Sequence, residues 1–168
     1  MGGLKESDQW FLKPGRVEMT GRFGANFGPD RPKAIQMSAN TELGIGITRW
    51  ISGLGGYGYN RVGSVSLGSL SIAKADFEEV MGGVRVAAPR RFSPYGVGTA
   101  GVVWAKLGTG LFGGNLAGSE AKAAFAGGGG FNFGINKNVG AVVDFRFVKP
   151  IEFNWYARTT AGIYIRFQ

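Results

Sequence analysis

The stretch Trp155-Tyr156-Ala157-Arg158-Thr159-Thr160-Ala161-Gly162-Ile163-Tyr164-Ile165-Arg166-Phe167 decides the fold. Its odd-numbered residues (Trp155, Ala157, Thr159, Ala161, Ile163, Ile165 and Phe167) make a nearly apolar row. The even-numbered ones carry two arginines and two tyrosines: Tyr156, Arg158, Thr160, Gly162, Tyr164 and Arg166. A period of two puts the rows on opposite faces of a sheet, whereas a helix would repeat its apolar residues three and four apart. The stretch is therefore predicted to be a strand with one greasy face and one ionic face.

Working back toward the N-terminus, the same alternation recurs. Val143, Phe145 and Phe147 interleave with Val142, Asp144 and Arg146, and Phe125, Phe131 and Phe133 with Lys122 and Asn132. Met37, Ala39, Leu43 and Ile45 interleave with Ser38, Asn40 and Glu42, and Val17, Met19 and Phe23 with Arg16, Glu18 and Arg22. Glu79 and Arg85 share one face of 76–88. The Gly-rich segments 51–61 and 94–107 are strands of less obvious facing. Eight candidate strands result: 16–27, 34–48, 51–61, 76–88, 94–107, 121–135, 139–148 and 155–167. Short connections (Arg49-Trp50, Pro89–Ser93, Asn136–Asn138) alternate with longer ones near 28–33, 62–75, 108–120 and 149–154. Eight antiparallel strands with short turns at one end and long loops at the other describe an all-β, eight-stranded up-and-down barrel. Most strands reach the 9–11 residues needed to cross a bilayer at a tilt.

Composition agrees with this and excludes much else. The 168 residues include 31 Gly, no Cys and no His, with 44% hydrophobic and 18% charged residues and a net charge of +8. Each interior Gly costs a helix about 1 kcal/mol, so this composition opposes a helical fold. Without Cys or His, disulfides, thiolate chemistry and Ser-His or Cys-His catalysis have no residues to use. No apolar run reaches the length of a membrane-spanning helix, but a closed barrel also satisfies its backbone in lipid. The opening Met-Gly-Gly-Leu-Lys-Glu-Ser-Asp has no apolar core of the kind a signal peptide carries.

The facing separates a membrane barrel from a soluble one. The polar face holds Arg16, Glu18, Arg22, Glu42, Glu79, Arg85, Lys122, Asp144, Arg146, Arg158 and Arg166, interspersed with Gly, Ala, Ser and Thr. An eight-stranded barrel is just wide enough to be filled by side chains. Small residues among Arg–Glu and Arg–Asp pairs suit such an interior, a barrel-interior charge network. The other face is almost free of charge. Its aromatics Phe23, Phe27, Trp50, Tyr57, Tyr59, Tyr95, Trp155 and Phe167 are expected at the membrane interfaces. A lipocalin-like soluble barrel with the opposite facing is the alternative, but thirteen Phe and four Trp are too many for one small lumen.

Several segments resemble the eight-stranded outer-membrane β-barrel family, which includes the transmembrane domain of OmpA. Thr41–Tyr59, ending Trp50-Ile51-Ser52-Gly53-Leu54-Gly55-Gly56-Tyr57-Gly58-Tyr59, is similar to its second hairpin. Gly82–Val86 with Ser93–Gly98 resembles the central hairpin, and Ala126–Phe133 and Val142–Arg146 the sixth and seventh strands. Ala161–Phe167 resembles the final strand, with Phe167 as the terminal aromatic and Gln168 following it. The resemblance covers about residues 16–167. It implies a bacterial outer-membrane location, export by a cleaved signal, both termini on the periplasmic side, no enzymatic activity in most members, and structural or loop-mediated binding roles.

The remaining motifs have plainer explanations. Gly-x-Gly-x-x-Gly occurs at Gly53, Gly96 and Gly108, but none of these opens a helix after a strand as dinucleotide binding requires. Glu78 and Glu79 are neighbours on a strand and so face opposite sides, which prevents paired acid–base work. Cations are dispersed along the chain and lie opposite the aromatics, unlike a nucleic-acid surface. No catalytic, cofactor or metal site is expected, and no nucleic-acid partner. The expected partners are outer-membrane lipids and, through loops 62–75 and 108–120, a protein or surface ligand. Residues 1–15 are expected to lie outside the barrel domain 16–168, fraying or plugging its mouth. A narrow, Gly-lined transport channel is the alternative function.

Overall fold

In the computed structural model, the described residues are 12–28, 31–62, 65–67, 70–72, 75–107, 121–151 and 155–167. Among them, ten strands follow in chain order: β1 Val17–Gly28, β2 Arg31–Gly46, β3 Ile51–Val62, β4 Val65–Leu67, β5 Leu70–Ile72, β6 Ala75–Ala87, β7 Phe92–Leu107, β8 Ala121–Gly134, β9 Val139–Pro150 and β10 Tyr156–Phe167. The eight long ones close into an antiparallel barrel in the order β1-β10-β9-β8-β7-β6-β3-β2. Closure is made by β1 against β10, from Val17 opposite Phe167 to Phe27 opposite Ala157. The barrel sheet itself then has no open edge, the condition for crossing hydrocarbon.

The short turns are built by their own side chains. At Ile47–Trp50, Thr48 Oγ1 accepts hydrogen bonds from the backbone N–H of Trp50 and Ile51, at 3.2 and 3.1 Å. At Ile135–Asn138, Asn136 Oδ1 accepts from the N–H of Asn138 and Val139, at 2.9 and 2.8 Å. Both follow the rule that Ser, Thr, Asn and Asp fold the backbone over their own oxygen. The third turn is closed by Ala88 N–H donating to Pro94 O at 3.0 Å and by the Ser93 hydroxyl donating to Ala88 O.

Two expected connections differ. Near 28–33 the gap is short: β1 runs to Gly28 and β2 begins at Arg31, its partner across the ladder. The 62–75 loop contains the hairpin β4–β5, with Val65 opposite Ile72 and Leu67 opposite Leu70. Loop 108–120 and residues 1–11 lie outside the described residues. Residues 12–15 touch the barrel. Pro14 bridges to Gly46, Gly15 N–H donates to Gly46 O at 2.8 Å, and Leu12 is buried. Gly15 turns the chain here with φ 74°, a region that L side chains rarely adopt.

Candidate functional site

Strand parity sends the charged row inward, where the barrel wall brings together residues far apart in sequence. Among the described residues, five arginines (Arg22, Arg85, Arg146, Arg158, Arg166) and four carboxylates (Glu18, Glu42, Glu79, Asp144) are buried. They are arranged in three tiers along the axis.

Nearest the short turns, Glu18 is held between Arg85 Nη2 at 2.6 Å and Arg166 Nε at 2.7 Å. Arg85 also donates to Ser52 Oγ at 3.3 Å, and the Arg166 guanidinium lies 4.5 Å from the Tyr164 ring centre. In the middle tier, Glu42 Oε2 accepts from Arg22 Nη2 at 2.7 Å and Arg146 Nη2 at 2.9 Å. Asp144 completes the circuit, 2.8 Å from Arg146 Nε and 3.4 Å from Arg22 Nη1, and accepts from the Tyr95 hydroxyl at 2.6 Å. Nearest the loops, Glu79 pairs with Arg158 and accepts from the Tyr156 hydroxyl at 3.1 Å. Arg158 donates onward to Asn40 Oδ1 at 2.9 Å, and a chain of hydrogen bonds runs from Asn40 through Ser38 to Asn60 and Asn26.

Glycine makes room for this filling. A Cβ on Gly58 would lie 2.6 Å from Glu79 Oε1, one on Gly130 2.7 Å from the Tyr95 hydroxyl, and one on Gly140 2.3 Å from the Tyr164 ring. The Gly-rich rows thus stand opposite the largest interior side chains. Beside the middle tier, a cavity lined by Arg22, Glu42, Glu79, Thr99, Arg146 and Arg158 measures about 20 Å³, enough for roughly one water.

Of the residues expected inside, Arg16 and Lys122 are not among the buried charges. Arg16 precedes the β1 ladder and is exposed, because the turn at Gly15 delivers the chain to the rim rather than the lumen; Lys122 is half-buried. On the other face, Phe23, Phe27, Trp50, Tyr57, Trp155 and Phe167 are exposed, Phe23 to 71%, and Tyr59 is half-buried. Phe23 and Tyr57 sit near the midpoints of β1 and β3 rather than at their ends. Tyr95 is a correction: it is 7% exposed and points into the lumen. On β7 the inward row is Ser93, Tyr95, Val97, Thr99, so the aromatic falls on the polar side of the pleat. Aromatic clusters the sequence did not single out lie on the outer face. Phe92 contacts Phe131 and Phe133, each at 5.0 Å, near the short turns; Phe147 contacts Phe145 and Trp155 at 4.9 and 5.7 Å near the loops. Counting parity outward from Phe133 would have found the first cluster.

The exterior excludes the soluble alternative. A lipocalin-like barrel hides its apolar row, whereas here Met37, Phe125, Ile163 and Leu43 are each more than half exposed. So large a continuous apolar surface is stable only in hydrocarbon.

No protein-family model matches the sequence, and comparison with curated proteins finds no match. Solved structures do match. Neisserial surface protein A aligns with a TM-score of 0.68 at 13% identity, covering 90% of this chain and 96% of that one. The outer membrane protein OprG of Pseudomonas aeruginosa gives 0.60 at 11% identity, covering 95% and 99%. The attachment invasion locus protein Ail of Yersinia pestis gives 0.58 at 15%, covering 90% and 97%, and has also been solved with the heparin analogue sucrose octasulfate. The fold is that of the eight-stranded outer-membrane β-barrels. Coverage near the full length of both chains means the barrel is the shared part, while the low identity leaves function to be argued from this chain's own residues.

Proposed function

We propose that this chain is an integral protein of the bacterial outer membrane, structural or ligand-binding in role, non-enzymatic, and closed to free conduction. One observation carries the reading: the circuit Arg22–Glu42–Arg146–Asp144 draws side chains from β1, β2 and β9 across the lumen at mid-height. An ion or solute crossing the barrel would have to separate paired, desolvated charges, each costly to leave alone. The circuit lies between two further tiers of pairs, so opening one leaves the others in place.

Binding specificity is assigned to the loop end, where segments 62–75 and 108–120 lie. The first of these segments contains the hairpin β4–β5. That Ail has been solved with the heparin analogue sucrose octasulfate supports ligand binding by a barrel of this fold. Outer-membrane lipids are the partners of the wall itself.

Planar-bilayer recording of the purified, folded protein tests the closed state. The expected record is flat at physiological salt. Reproducible unitary steps would overturn it in favour of a narrow channel.

A further inference from the structure

The two rims of the barrel differ in charge. At the short-turn end, the chain exposes Lys13 and Arg16 before β1, Arg49 in the β2–β3 turn, Arg90 and Arg91 in the β6–β7 turn, and Lys137 in the β8–β9 turn. These positions are spread around the whole circumference, one group at each chain reversal and one at the entry to β1. Among the described residues, the one carboxylate at this end is Glu18, which is buried and already held between Arg85 and Arg166. The loop end is mixed in sign among the described residues, with Glu78 on β6 as well as Lys122 on β8 and Lys149 on β9.

Each cation group has an exposed apolar residue beside it that belongs to the lipid-facing band. Arg49 precedes Trp50 and Ile51, Arg91 precedes Phe92, Ile135 lies two residues before Lys137, and Val17 follows Arg16. The Arg49 guanidinium lies 5.3 Å from the Trp50 ring centre, which puts a charge and an interfacial indole at one level. Arg91 Nε donates to Gly134 O at 3.1 Å, which fixes this guanidinium at the level of the short turns. Cations at the boundary of an apolar band sit at headgroup depth, where each adds about 1 kcal/mol of attraction to an anionic surface, or about fivefold in binding.

We infer that this rim is a binding surface for anionic phospholipid headgroups of the phosphatidylglycerol type, in the leaflet that meets the short turns. Guanidinium groups suit it, since their fork of donors matches phosphate oxygens. A zwitterionic headgroup presents the same phosphate with a cation of its own, so the rim selects on net charge. This rests on the membrane-spanning reading above, and the test separates the two.

The four tryptophans allow a local probe. A Trp10→Phe, Trp104→Phe, Trp155→Phe variant keeps Trp50 as its one indole, beside Arg49. A second variant keeps Trp155, at the loop end, by replacing Trp10, Trp50 and Trp104 with Phe. Each is reconstituted in phosphatidylcholine vesicles with either brominated phosphatidylglycerol or brominated phosphatidylcholine at the same mole fraction, and folding is checked by heat-modifiable migration. At Trp50 the glycerol lipid is expected to quench as though bound several-fold more tightly, with the preference lost in molar salt and in the Arg49→Gln, Arg90→Gln background. At Trp155 the two lipids are expected to quench alike. Equal quenching at Trp50 by both lipids in the folded protein would overturn the inference and leave the membrane reading intact. No quenching by either would overturn the membrane reading and this one with it.

Discussion

The inner and outer faces of the same strands solve opposite problems with the same backbone. On β9, Val143, Phe145 and Phe147 face outward and are 42–51% exposed, while Val142, Asp144, Arg146 and Val148 between them are at most 3% exposed. The outer row needs no partner within the protein, because hydrocarbon supplies the apolar contact that a soluble protein finds in its core. The inner row has no such solvent. Its charges are buried, and they are tolerated only because each finds an opposite charge and hydrogen bonds across the lumen. Outer positions should therefore answer to polarity and inner positions to pairing.

The largest expected effect is at an inner position. Glu42→Leu removes the carboxylate shared by Arg22 and Arg146 and leaves two guanidinium groups competing for Asp144. Loss of about 3–5 kcal/mol is expected for a broken buried pair, read by reversible urea unfolding in vesicles. A change near zero would mean that water reaches the middle tier and that the lumen is not sealed. Val143→Arg sharpens the other half of the comparison, because it puts a charge near the midpoint of the outer face of β9. A loss of about 2–4 kcal/mol is expected at the bilayer midplane, in the same titration. A neutral result would place Val143 in water.

Two glycines give the smallest and most direct contrast. Gly58 faces inward, where a Cβ would meet Asn40 Oδ1 at 2.5 Å and Glu79 Oε1 at 2.6 Å; Gly98 faces outward with nothing within 4 Å. Gly58→Ala should lose about 1–3 kcal/mol as the Glu79–Arg158 pair is displaced. Gly98→Ala should be neutral or up to about 1 kcal/mol stabilising, because it removes backbone freedom without adding a clash. Equal effects at the two sites would argue that the inner face is loosely packed.

Most of the fold was legible because a period of two is a local property. The strands predicted at 76–88, 121–135 and 155–167 match β6, β8 and β10 to within one residue at either end. The errors occur where local chemistry and the pleat disagree. Tyr95 stands in the run Ser93-Pro94-Tyr95-Gly96-Val97, in which both rows contain apolar residues and neither announces its side. Pro29-Asp30-Arg31-Pro32-Lys33 has the composition of a loop, yet β2 already includes Arg31, because a ladder can continue beyond the apolar band. The separate ion pairs were not legible at all. Arg85 meets Glu18 across 67 residues and Arg166 meets it across 148, so both contacts exist only once the barrel has closed. The sequence shows which face most of the charged residues take, and closure decides which of them meet.

The central claim is that the apolar row of each strand lies in lipid and the ionic row does not. Its most direct test is carbene footprinting of the unaltered protein in vesicles, using a lipid-soluble diazirine and residue-level mass spectrometry across β8 and β9. Label is expected on Phe131, Phe133, Val143, Phe145 and Phe147, and not on Asn132, Val142, Asp144 or Arg146. Label on the even-numbered row, or none on either strand, would contradict the account.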